Sequence, residues 1–255
     1  GAELMFEIAR FWASAAIWNP KRDRHDIRGV MGPDEFHDRY PGSQKPSLDN
    51  NAYTNVMASW CIARALDLFE LLPMERCHEL CETLRLEREE IAHWEHVSRT
   101  LYVPFGAKGI ISQFEGYEKL NEFDWSAYSR KYPNIMRLDL LLEAEGDSPI
   151  HYKLSKQADA LMLFYLFSAE ELQQTFARLG YSFDPESIPK TIDYYLRRTS
   201  HGSTLSGIVH AWVLARSCRG RAWSLFKEAL RSDIGDIQGG TTREGIHLGA
   251  MAGTV

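Results

Sequence analysis

The hexapeptide Gly32-Pro33-Asp34-Glu35-Phe36-His37 places a carboxylic acid, Glu35, in a turn whose N-terminal side is set by a glycine and a proline. Asp34 and His37 flank it with groups able to tune or orient it. A Glu held in this way can protonate the departing oxygen of a glycosidic bond. To carry a proton near neutral pH such an acid needs burial, or a neighbouring carboxylate such as Asp34. The plain alternative is an ordinary turn with a solvated Glu, and three further segments weigh against it.

The run Asn50-Asn51-Ala52-Tyr53-Thr54-Asn55 stands at the start of a predicted helix. Asn and Thr there serve as caps, but carboxamides also offer the mixed donors and acceptors that sugar hydroxyls need. Asn51 and Asn55 are therefore candidate sugar ligands. Lys156-Gln157 falls in the first turn of a very apolar segment, where a lysine works against the helix dipole. That local cost suggests a task such as holding a sugar hydroxyl. Finally, His201-Gly202-Ser203-Thr204-Leu205-Ser206 and Gly239-Gly240-Thr241-Thr242-Arg243-Glu244-Gly245-Ile246-His247 combine hydroxyls, glycines and a histidine. Hydroxyls and free amides at a helix start, with glycines allowing close backbone approach, suit an oxyanion. Ser203, Thr204, Gly240 and His247 are its candidate ligands. Glu244 is a carboxylate that could instead serve as the base for an attacking water.

The composition narrows the other classes. The 255 residues carry a net charge of −6, which argues against nucleic-acid or anionic-membrane partners. No apolar run approaches the ~20 residues of a membrane span, and no basic-then-apolar leader pattern opens the chain. Cys61, Cys77, Cys81 and Cys218 lack paired metal-ligand spacing, so reduced thiols and a cytoplasmic location are the simpler expectation. No metal or organic cofactor is expected.

Helical periodicity positions these segments. The chain opens within a helix marked by Leu4, Phe6, Ile8, Phe11 and Trp12. Further helices are predicted at about 51–70, 73–84, 88–101, 155–167, 169–179, 189–197, 204–216 and 220–231. Ser168 and Glu171 form a capping-box pattern, and Gly180 is a C-terminal stop. Residues 19–50 and 102–153 read as long irregular regions, and Arg22 to Asp26 as a solvated charge run. The aromatics of 114–132 read as packing. Nothing alternates long enough for a convincing sheet, and the tail from 235 has no hydrophobic period. The fold class is all-α, built of helical hairpins.

Taken in order, Gly-Pro-Asp-Glu-Phe-His (32–37), Asn-Asn-Ala-Tyr-Thr-Asn (50–55), Lys-Gln-Ala-Asp (156–159) and Gly-Thr-Thr-Arg-Glu-Gly-Ile-His-Leu-Gly (240–249) resemble glycoside hydrolase family 65. That family holds maltose, trehalose, kojibiose and nigerose phosphorylases and some hydrolases such as acid trehalase. The resemblance implies an (α/α)6 toroid-type barrel, with residues 1–255 forming part of a single catalytic domain. No counterpart of the family's flanking β-sandwich and small β-domain is expected within residues 1–255. Twelve barrel helices of ~11–12 residues with their connections need more helical segments than are predicted, so the barrel is expected to be incomplete in this chain.

By the same resemblance Glu35 is the general acid, Lys156 and Gln157 contact the transferred glucose, and Ser203, Thr204 and His247 bind phosphate. Many members read His-Asp-Ser-Ser-Leu-Ser where this chain has His-Gly-Ser-Thr-Leu-Ser, yet the turn stays rich in hydroxyls. The implied reaction is inverting phosphorolysis of an α-linked glucose disaccharide, with inorganic phosphate as co-substrate and β-glucose 1-phosphate as product. An α-glucoside hydrolase using Glu244 and a catalytically incomplete barrel segment are the alternatives. The implied partners are a disaccharide and phosphate, with a homodimer as the assembly.

Overall fold

A computed structural model describes residues 1–255, apart from the side chains of Thr241 and Glu244. It is mainly helical. Helix α1 (Ala2–Ala15) runs straight into a small antiparallel sheet of order β1-β2-β3, made of β1 (Ala16–Asn19), β2 (Arg24–Val30) and β3 (Leu48–Asp49). Helices α2 (Ala52–Leu71), α3 (Met74–Leu84) and α4 (Arg88–Thr100) follow. A long connection carries two short helices, α5 (Trp125–Lys131) and α6 (Leu138–Ala144). Then come α7 (Asp159–Leu166), α8 (Ala169–Arg178), α9 (Ser187–Leu196), α10 (Thr204–Leu214), α11 (Arg219–Gly235) and α12 (Leu248–Ala252).

Three helices form an inner row. Helix α7 packs against both α2 and α10. Their sequences explain the placement, because a helix apolar on all sides must be covered on all sides. In α7, Ala160, Leu161, Leu163 and Phe164 are buried, and in α10 Ile208, Val209, Ala211, Val213 and Leu214. The small residues Ala52, Ala58, Ser59, Ala63 and Ala65 let α2 be approached closely by its neighbours. The amphipathic helices α1 and α4 cover α2 from outside, α9 covers α7, and α11 covers α10.

Helix termini follow their local chemistry. Ser168 accepts from the Glu171 amide while Glu171 accepts from the Ser168 amide, a complete capping box. Gly180 adopts the positive φ that lets the chain leave α8. Asn51 caps α2 by accepting from the Thr54 amide at 3.0 Å.

The sheet corrects the reading of residues 19–50 as wholly irregular. Strand β2 is too short and too asymmetrically covered to alternate, with His25, Asp26 and Ile27 buried in succession. The supposed charge run is equally a framework. Asp26 accepts from Asn19 (2.8 Å), Arg28 (3.0 Å) and Asn50 (3.1 Å). Arg22 forks onto Glu115 at 2.7 and 3.1 Å, and Asn50 also donates to Glu115 at 2.7 Å. Burial pushes the Asp26 carboxyl up, and these donors together more than reverse it, so the group stays below its ordinary range.

The aromatics of the long connection do pack. Phe114 and Tyr117 join the main core, and Phe123 builds a smaller core with Phe36, Leu138, Leu142 and Leu154. Cys77 is buried and Cys218 exposed, and all four thiols are free. No helix among the described residues is long and apolar enough to cross a membrane.

Candidate active site

Glu35 is a single exposed residue between two buried anchors. Its side chain is 65% exposed, whereas Asp34 and Phe36 on either side are buried. Phe36 is driven into the smaller core by its apolar ring. Asp34 is held by polar partners. One carboxylate oxygen accepts the Lys156 amide at 3.0 Å and the Phe36 amide at 3.3 Å. The other accepts from Gln113 at 3.2 Å and faces the His37 ring at 3.4 Å. His37 in turn donates from Nε2 to the Tyr152 carbonyl at 3.0 Å. The burial expected around Glu35 is thus found around its neighbours, and Asp34 is committed to backbone amides.

The lysine expected in the first turn of the apolar helix lies before it. Helix α7 begins at Asp159, and Lys156 and Gln157 belong to the bend that precedes it. Tertiary bonds set this boundary, because Ser155 bridges Thr199 in parallel, its amide donating to Arg198 and its carbonyl accepting from Ser200. From there the Lys156 ammonium reaches Glu35 Oε2 at 2.7 Å. Gln157 Nε2 donates to the Pro33 carbonyl at 2.9 Å, and its Oε1 is buried without a partner.

The Ser155–Thr199 bridge also lays Lys156 and Gln157 alongside the hydroxyl-rich turn. His201 there has a left-handed backbone (φ +57) and bonds Ser206 at 2.9 Å. Gly202 is packed so tightly that a β-carbon would collide with the Met136 carbonyl and touch the Lys156 stem. Ser203 caps α10 by accepting from the Leu205 amide, and Thr204 is buried behind it. Ser203 shares a narrow cleft with Met136, Ser232 and Gln238 at the end of α11. Next to Ser232, Asp233 holds His247 through both its ring, at 2.7 Å, and its amide, at 2.9 Å. Those bonds draw the Asp233 carboxyl below its ordinary range. Gly240 takes a positive φ and donates to Asp236. The side chain of Glu244 lies outside the described residues.

The two asparagines serve the framework. Asn51 donates to Asp159 at 2.6 Å while capping α2, and Asn55 donates to Asn50 and to the Tyr102 carbonyl. Both are wholly buried, so neither amide is presented to a cavity where a sugar would lie. The residue that periodicity passed over is Asp159. It is fully buried, and it accepts the Asp34 amide at 2.5 Å as well as Asn51. Its own amide donates to Gln113 at 2.6 Å. Burial, then the charge of Asp34, pushes its carboxyl well above the ordinary range. An acid within Lys-Gln-Ala-Asp was the available signal, but the motif points first to its Lys and Gln. Among the described residues no cluster of His, Cys, Asp and Glu could hold a metal ion.

The starts of α2, α7 and α10 therefore meet at one end of the inner row, with the Glu35 loop across them. Residues 1–255 match the profile described as glycosyl hydrolase family 65 central catalytic domain. An uncharacterized glycosyl hydrolase of Mycobacterium tuberculosis is 58% identical over 255 residues, covering all of this chain and 19% of that protein. A trehalose 6-phosphate phosphorylase of Lactococcus lactis is 37% identical over 256 residues, covering all of this chain and 32% of the relative. A kojibiose phosphorylase of Thermoanaerobacter brockii is 33% identical over 259 residues, covering all of this chain and 30% of the relative. A solved human-microbiome structure described as a candidate kojibiose phosphorylase superposes with a TM-score of 0.76 at 22% identity. It covers the whole chain and 34% of its own, a likeness of fold. The chain thus spans about a fifth to a third of the length of these proteins. Its helices form a partial (α/α)6 barrel, and the chain belongs to glycosyl hydrolase family 65, within the central catalytic domain.

Proposed function

We propose that this barrel segment carries the general acid, the sugar-contacting pair and the anion cradle of an inverting phosphorylase acting on an α-linked glucose disaccharide. The observation that carries the reading is the convergence of Glu35, Lys156-Gln157 and the Ser203 turn at the joined starts of α7 and α10. In this mechanism Glu35 gives its proton to the glycosidic oxygen as the bond to the anomeric carbon breaks. Phosphate attacks that carbon from the opposite face, and the product is β-glucose 1-phosphate with a released sugar. Phosphate is itself a nucleophile, so a cradle replaces the base of a hydrolase.

Lys156 and Gln157 hold the transferred glucose. A buried acceptor without a partner costs ~1–3 kcal/mol, so the empty Gln157 Oε1 favours a ligand whose hydroxyl approaches it. Ser203 and Thr204 supply hydroxyls at the start of α10, where amides and helix dipole favour an anion. His247, oriented by Asp233 next to the cleft residue Ser232, and Gly240 complete the cradle. The relatives described as phosphorylases support this reading over hydrolysis.

The test is to incubate the complete enzyme with α-linked glucose disaccharides, with and without phosphate. Phosphate-dependent formation of β-glucose 1-phosphate is expected. Equal release of two free sugars without phosphate would replace the reading with hydrolysis.

A further inference from the structure

We infer that Asp159 is the positioning residue of the Glu35 loop, holding the acid in register with Lys156 through a buried clamp that never meets substrate. The kinetic half of this inference rests on the phosphorylase reading above. The clamp has two carboxyls and one carboxamide. Asp159 takes the amide of Asp34, immediately before Glu35. Asp34 takes the amide of Phe36, immediately after Glu35, and the amide of Lys156, the partner of Glu35. Gln113 ties the carboxyls together, accepting from the Asp159 amide and donating to Asp34. Three backbone amides around the Glu35–Lys156 pair, those of Asp34, Phe36 and Lys156, therefore end on one of two buried carboxyls.

The fit is tight. Any β-carbon on Gly32 would overlap Asp159 Oδ2 and Asn51 Nδ2, so the loop enters directly over the clamp. The polarity of the contacts is also specific. Asp159 accepts from both Asp34 and Asn51, while Asn51 uses its own oxygen to cap α2 through Thr54. An amide at position 159 would set one NH2 group against that of Asn51. Exchanging the two groups, Asn51→Asp with Asp159→Asn, reverses the donor and the acceptor, and an aspartate at 51 still caps the helix.

This exchange is the test. In the complete enzyme, Asp159→Asn should lower kcat by about tenfold to hundredfold with KM moving less than about twofold, since small misplacements of a reacting group cost rates of this order. Amide hydrogen exchange across residues 33–37 should quicken by at least about tenfold. The double variant should restore both to within about threefold of the parent. Asp159→Asn matching the parent in both measures would overturn the clamp. So would a double variant that melts with the parent yet stays slow and poorly protected. If Asp159→Asn does not fold, the double variant decides: recovered fold, protection and turnover support the clamp, and their absence overturns it. Failure of the parent to turn over any disaccharide would count against the phosphorylase reading, and amide exchange would then judge the clamp by itself.

Discussion

The Met136 carbonyl oxygen lies 2.4 Å from where a β-carbon on Gly202 would stand, and the Lys156 stem lies 3.5 Å from the same point. Glycine at position 202 thus has a steric reason in this chain. A residue with any side chain at 202 would push the turn off the carbonyl that backs it.

Gly202→Ala should therefore destabilise the protein by ~1–3 kcal/mol, the range for forcing atoms into a filled space. It should also raise the KM for phosphate, because Ser203 follows directly. Gly202→Asp, which adds a larger and charged side chain, should be worse. Thermal melting and phosphate titration of initial rates check both.

Glu35→Gln should reduce disaccharide cleavage by ~10²–10⁴-fold, the usual contribution of a positioned general acid. Binding of glucose, followed by calorimetry, should change little. Wild-type turnover in this variant would remove Glu35 from the acid role.

Lys156→Met should act on binding. The loss of a charged hydrogen bond to a sugar hydroxyl costs ~1.5–3 kcal/mol, which appears as a higher KM for the disaccharide. Stability should move by less than ~1 kcal/mol, since the partner Glu35 is largely exposed and such pairs contribute little. A large loss of melting temperature without a change in KM would assign Lys156 to the framework.

Acid should destabilise the fold from an unexpectedly high pH. Burial pushes the His210 ring down to about 3, and His201 and His25 to about 4. The unfolded chain takes up these protons near the ordinary histidine value of ~6.5, while the folded chain refuses them. Stability is therefore full above ~6.5 and falls as pH drops toward the folded values. The melting temperature should drop by roughly 5–10 °C between pH 7 and pH 5. His210→Gln should flatten the slope. Asp159, raised instead of lowered, contributes with the opposite sign but is present in both proteins and cancels in the difference.

Much of the helical frame was legible because its signals are local. The Ser168–Glu171 box, the Gly180 stop and the all-round apolar face of α7 each need only a few neighbouring residues, and each appears as read. What escaped depends on partners far along the chain. Arg22 looks solvated until Glu115 stands beside it, 93 residues away. Lys156 looks helical until Ser155 is found bridging Thr199. Asn51 and Asn55 look like sugar ligands until their amides are traced to Asp159 and Tyr102. Residue type announces the chemistry a group can do, and only tertiary contact shows which group is already engaged.

Four of the bonds that assemble the acid loop join residues 121, 122, 124 and 125 positions apart. Contacts of such separation form late and slowly, because the entropy of closing a long loop must be lost before the bond can form. During refolding, the hairpin of α10 (Thr204–Leu214) with α11 (Arg219–Gly235) can gain native structure from near neighbours alone. Recovery of far-ultraviolet circular dichroism will therefore run ahead of recovery of the site, and helical content is a poor measure of competent protein in a preparation of this barrel.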